Sequence, residues 1–173
     1  MIMPALHILN MRPIMKKTFF SFLFIVSFSL LISAKPKPQA RYHLLMDRDW
    51  RFFLGDNKNA SSVDFNDNSW RSLDLPHDWS IEGEFKKDAP TGGGGGYLPT
   101  GIGWYRKQFI LPSSVRGKQV SIQFDGVYMN SEVWINGHLL GKRPNGYISF
   151  VYDLTPYLTK VKNIIAVKVD NSN

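Results

Sequence analysis

The chain has no cysteine among its 173 residues. Disulfides, zinc–thiolate sites and thiol catalysis are therefore excluded, and an exported form would rely on its core alone for stability. No run of basic residues occurs, although the formal charge is +7. Nucleic-acid binding wants a clustered basic face, so that class is set aside. No internal repeat is present, and no long helical hydrophobic period follows residue 34. The histidines His43, His77 and His138 lack metal-ligand spacing. What the chain has in quantity is aromatic: twelve Phe, seven Tyr and five Trp. That content and length suit one domain with a real core.

The first segment has its own logic. KKTFFSFLFIVSFSLLISA, Lys16 to Ala34, runs from two lysines through an apolar stretch to small residues. This is the order of a secretory signal peptide, and the apolar stretch is short for a membrane span of about 20 residues. Residues 1–34 are read as the signal peptide, with 1–14 an upstream extension if Met15 is the start. An uncleaved anchor is the alternative. Cleavage would remove Arg12, Lys16 and Lys17, three of the seven excess positive charges. The expected destination is the periplasm or the extracellular space, with no membrane contact after cleavage. KPKPQA reads as a linker over 35–41, and folded sequence is expected from near Arg41, with the domain at 42–173.

The rest of the chain reads as strands. WRFFLGD, Trp50 to Asp56, is a strand ending in a turn, and the polar stretch 57–68 is a loop. WRSLDLP offers a short strand with Leu73 and Leu75 on one face. GWYRKQFIL, Gly103 to Leu111, is rich in strand formers. In VSIQF, Val120, Ile122 and Phe124 share one face. SEVWINGHLLG carries Asn136-Gly137 between apolar runs, the signature of a hairpin with a type I′ turn. YISFVYDL is a strand, DLTPYL is one helical turn, and NIIAVKVD is a strand with Ile165, Val167 and Val169 toward the core. Short alternating strands at this spacing predict an all-β sandwich.

Four features bear on chemistry. GGGGGYLPTGIGWYRK, 92–107, invites a phosphate-loop reading, but no Lys-Ser/Thr follows and the next segment is strand-like, not helical. A flexible surface loop is the plainer reading. In PHDW, His77 and Asp78 are adjacent, but neighbours on an extended chain point opposite ways, and no G-x-S-x-G occurs. Glycosidic hydrolysis needs two carboxyl groups about 5–9.5 Å apart. Glu82, Glu84 and Glu132 offer no convincing pair, and Glu132 reads as a solvated strand residue. Among the aromatics, Trp104, Tyr105, Tyr128, Trp134 and Tyr147 suit either sugar stacking or the core.

PHDW, GGGGGYLPTGIGWYRKQF, FDGVYMNSEVWINGHLLGKRPNGYISFVYDLTPYL and NIIAVKVDNSN occur in an order that resembles the N-terminal sugar-binding domain of glycoside hydrolase family 2, on its β-galactosidase side. The resemblance runs from about Trp50 to the last residue. It implies a jelly-roll β-sandwich of galactose-binding-domain type. It further implies an immunoglobulin-like domain and a TIM barrel in full-length members, the barrel carrying the two glutamates of a retaining mechanism. No catalytic residue is therefore expected in this chain. The implied partners are a carbohydrate, a β-galactoside or related glycan, and the catalytic barrel; a free-standing, non-catalytic carbohydrate-binding module is the alternative. The resemblance places Asp170 where the family holds a sugar hydroxyl and, in some members, a sodium ion; no cofactor is otherwise expected. It also carries the family's substrate-side loop onto Gly94 to Pro99, giving Gly95, Gly96 and Tyr97 as substrate-binding candidates, with no equivalent of an asparagine found there in some members.

Overall fold

The computed structural model describes residues 4–9 and 41–172. Their strands are β1 (Pro4–Leu9), β2 (Tyr42–Leu45), β3 (Trp50–Leu54), β4 (Arg71–Leu73) and β5 (Ile102–Phe109), then β6 (Gln119–Phe124), β7 (Ser131–Ile135), β8 (His138–Arg143), β9 (Phe150–Asp153) and β10 (Asn163–Asp170). They form a six-stranded sheet, β4-β3-β5-β10-β7-β8, and a four-stranded sheet, β2-β1-β6-β9. Every pairing is antiparallel. The fold is the all-β sandwich that the alternating strands predict, with the jelly-roll form that the family resemblance implies.

The core lies between the sheets. Val120, Ile122 and Phe124 of β6 face Ile165, Val167 and Val169 of β10 across it, with Trp50, Phe52, Tyr105, Val133 and Ile135 filling the middle. The period-2 pattern is what sends these residues inward. Asn136 and Gly137 adopt φ of 49° and 80°, the positive values a type I′ turn needs. Asn136 also locks the turn in place: its Nδ2 donates to Tyr157 O at 2.7 Å and its Oδ1 accepts from Ile164 N at 2.8 Å. The expected helical turn is a 3-10 turn at Thr155–Tyr157.

Three elements differ from the sequence reading. Strand β4 stops at Leu73, before Leu75 and Pro76. Strand β9 starts only at Phe150, because Asn145 Oδ1 caps the Tyr147 amide at 2.8 Å and turns the chain. Tyr147 and Ile148 are left exposed. Strand β1 belongs to the stretch read as an upstream extension, and its backbone pairs with β2 on one side and β6 on the other. The signal-like segment 16–34 and most of the linker lie outside the described residues.

Strand β10 is buried on both faces. Ala166 sits in a second cluster with Ala60, Trp70 and Trp104, flanked by Phe65 and Trp134. The polar loop 57–68 therefore does more than connect strands: it covers the outer face of the large sheet. Arg106, 1% exposed, holds it there. Its Nε donates to Asp67 Oδ2 at 2.8 Å, and its Nη groups reach the carbonyls of Ala60, Ser62 and Phe65. A buried guanidinium needs its charge paired and its donors filled, and this loop supplies both.

Candidate functional site

A cavity of about 960 Å³ opens at one end of the sandwich. Its walls come from four places: the His77–Ser80 segment, the 90–100 loop, the turn carrying Asp125, Gly126 and Tyr128 with Gly146 and Tyr147, and the chain just past β10. Local geometry explains why these segments meet. Gly103 lies under Trp79; a Cβ there would sit 2.8 Å from the indole ring. Asn171 ties two walls together, accepting from Gly101 N at 2.8 Å and donating to Ser80 Oγ at 3.1 Å. Gly146 lets Tyr128 pack directly on the backbone, since a Cβ there would meet the ring at 2.5 Å.

The sequence candidates are distributed unevenly around this space. Gly95 lines the cavity, whereas Gly96 and Tyr97 do not. Tyr97 has a positive φ of 57°, and its amide donates to Gly92 O at 2.8 Å. The glycine stretch is thus internally braced around a short 3-10 turn at Gly93–Gly95. Asp170 ends β10, and its Oδ1 accepts from Ser172 N at 3.0 Å, a turn cap at the strand end. The residues that follow it, Asn171 and Ser172, line the cavity. Among the described residues no three His, Cys, Asp or Glu are grouped so as to hold a metal ion.

PHDW divides as its extended geometry predicts. Asp78 turns to cap Ser80 N at 2.9 Å. His77 turns the other way into a polar cluster: its Nδ1 is 2.7 Å from Tyr105 Oη, and its Nε2 is 2.6 Å from Arg71 Nη2 and 3.2 Å from Glu82 Oε1. Arg71 can only donate, so neutral His77 accepts at Nε2 and donates from Nδ1 to Tyr105. Burial lowers the His77 pKa, against the pull of Glu82, and burial raises that of Tyr105. Burial works to raise the Glu82 pKa, but the hydrogen bonds and charge of Arg71 oppose it, with His77 adding to them when protonated, and the net shift is downward. Glu82 is thus held as an ion-pair partner, and Glu132 pairs with Lys142 at 3.0 Å across β7 and β8. Neither is placed as a free catalytic carboxyl.

The aromatics sort by burial. Trp104 and Tyr105 are core, and Trp134 stacks on Trp104 at 5.2 Å. Tyr128 and Tyr147 remain at the cavity rim, 5.3 Å apart edge to face. Trp79, Asp125, Asn171 and Ser172 were not singled out as site residues by the sequence. The Asn-Ser pair directly after the β10 pattern is the signal that points to the last two. The Trp79 Nε1 is buried without a hydrogen-bond partner.

A jelly-roll sandwich with a cleft built at one end from strand-end loops defines a class, the β-sandwich carbohydrate-binding domain. Residues 96–172 match the sugar binding domain of glycosyl hydrolases family 2, and the chain belongs with the N-terminal sugar-binding domains of that family. It is 61% identical over 125 residues to β-galactosidase BoGH2A of Bacteroides ovatus, matching 72% of this chain and 15% of that protein. It is 54% identical over 125 residues to a putative β-glucuronidase of Formosa agariphila, matching 72% of this chain and 12% of that protein. The crystal structure of a β-glycosidase from Bacteroides vulgatus superposes with a TM-score of 0.72 at 62% identity, over 73% of this chain and 17% of that one. The chain thus spans less than a fifth of the length of these relatives.

Proposed function

We propose that this domain serves an exported family 2 glycoside hydrolase that cleaves terminal β-glycosidic bonds with retention, β-galactosides being the first candidates. The domain forms one wall of the substrate pocket and packs against the rest of the enzyme, which supplies the two catalytic glutamates. The observation that carries this reading is the cavity at the strand ends, where Gly95, Asp78, Asp125, Asn171 and Ser172 meet beneath an apolar rim. Ile81, Phe85 and Tyr147, at 70%, 75% and 83% exposure, are the kind of surface a neighbouring domain covers. The substrate specificity then lies with the whole enzyme. The signal-like segment supports a periplasmic or extracellular location.

The test is turnover of a chromogenic β-galactoside by the longer enzyme and by the 173-residue chain alone. Activity is expected in the first and none in the second; an inactive longer enzyme, across β-galactosides and β-glucuronides, refutes the reading. A second reading, a carbohydrate-binding module without catalysis, draws on the exposed Tyr128–Tyr147 pair at the rim. Calorimetric binding of β-galactosides to the chain alone would support it, and absence of heat would oppose it.

A further inference from the structure

Asparagine followed by glycine occurs twice, at Asn136-Gly137 and Asn145-Gly146. The pair is chemically labile: asparagine is thermolabile, and glycine has no Cβ to shield its amide nitrogen from the preceding side chain. Both glycines are demanded by the structure. Gly137 has a φ of 80°, and a Cβ on Gly146 would lie 2.5 Å from the Tyr128 ring and 2.8 Å from Tyr128 Cα. The two asparagines are held differently. Asn136 Nδ2 donates to Tyr157 O at 2.7 Å and to Asn163 Oδ1 at 2.9 Å, while its Oδ1 accepts from Ile164 N at 2.8 Å. That side chain cannot turn toward Gly137 without breaking all three bonds. Asn145 is exposed, beside Gly146 and Tyr147 at the edge of the cavity. Its side chain makes one hydrogen bond among the described residues, with Oδ1 accepting from the Tyr147 amide at 2.8 Å. This Asx-turn bond curls the side chain back over the Gly146 peptide and leaves Nδ2 unheld.

We infer that Asn145 is a spontaneous deamidation site at the cavity rim, with Asn136 as its structurally protected counterpart. The Gly146 nitrogen gives up its proton and attacks Asn145 Cγ. The new N–Cγ bond closes a succinimide ring, the Cγ–Nδ2 bond breaks, and ammonia leaves with that proton. Water then opens the ring at one of its two carbonyls. Opening at Cγ yields aspartate in the ordinary backbone, with an oxygen still placed to cap Tyr147. Opening at the other carbonyl yields isoaspartate, which routes the backbone through Cγ and removes that cap. Either product adds a negative charge to a cavity that Asp78 and Asp125 already line. Isoaspartate also lengthens the main chain where Gly146 packs on Tyr128, and so unseats the Tyr128–Tyr147 pair. The chemistry needs only this chain and water, and it proceeds whether or not the cavity takes a sugar.

Site-resolved peptide mapping by mass spectrometry tests this on the 173-residue chain held in mildly alkaline buffer. Asn145 should lose its amide at least about tenfold faster than Asn136, whose reaction must wait for local opening. In the urea-unfolded chain the two rates should agree within about twofold, because each asparagine then has only its glycine neighbour. Three results overturn the site: similar rates at both asparagines in the folded chain, a difference that survives urea, or an Asn145 rate more than about tenfold slower folded than unfolded. Hydrogen exchange reads the effect on the rim. In the aged chain, the isoaspartate-bearing peptide should exchange at least about threefold faster at the Tyr147 amide than in unaged protein, with β10 as reference. Asn145→Asp carries the charge on an ordinary backbone and should keep that amide as protected as the wild type. Equal exchange in the isoaspartate-bearing peptide and in Asn145→Asp overturns the unseating of the rim.

Discussion

Replacing Arg106 by alanine removes one guanidinium and leaves four acceptors without it: the Asp67 carboxylate and the carbonyls of Ala60, Ser62 and Phe65. The Asp67 side chain is only 25% exposed, so water compensates it in part. Removing one partner of a buried ion pair costs about 3–5 kcal/mol. With a urea m-value of about 2 kcal/mol/M for a domain of this size, the midpoint should fall by about 2 M. Tryptophan emission is a suitable readout, because Trp70, Trp104 and Trp134 all lie under the loop that Arg106 holds. Emission should shift to the red as the loop lifts, even below the unfolding midpoint. Arg106→Lys keeps the charge but cannot reach four acceptors in one plane, and should recover less than half of the loss. A midpoint within about 0.3 M of wild type, against an m-value of about 2 kcal/mol/M, together with unchanged emission, would refute the clamp.

Gly103→Ala places a methyl group 2.8 Å from Trp79 and 3.1 Å from Phe52, and should cost about 1–3 kcal/mol in thermal melts by overpacking. Asn136→Ala loses hydrogen bonds to Tyr157, Asn163 and Ile164. At about 0.5–1.5 kcal/mol each, it should destabilise by about 2–4 kcal/mol in urea titration. Burial lowers the His77 pKa, so the folded state resists protonation while the unfolded state takes up a proton below its ordinary value of about 6.5. Stability should therefore decline as pH falls below about 6.5, and His77→Gln should flatten that segment of the profile measured by chemical denaturation.

The strand pattern was legible because alternation reports burial on one face. VSIQF, NIIAVKVD and the Asn136-Gly137 turn each encode their own local geometry. Boundaries were less legible. Tyr147 and Ile148 carry strand-forming side chains, and only the cap from Asn145 shows that the strand begins later. The cover over β10 was invisible for a different reason. Its residues are polar and its anchor, Arg106, is distant in sequence, so no local pattern marks a buried guanidinium. The same limit applies to the cavity. Residues 77–80, 90–100, 125–128 and 171–172 are brought together by folding; the glycine loop, PHDW and Tyr128 each drew attention in the sequence, but no local pattern shows that they meet. Asp170 ends β10, its carboxylate turns to its own backbone, and its neighbours line the space.

Asn171 has a mechanical consequence. One amide side chain fastens the stretch after β10 to Gly101 on one wall and to Ser80 on another. The chain therefore leaves the large sheet through a three-way joint. Loss of that one amide would untie both walls from the departing chain at once.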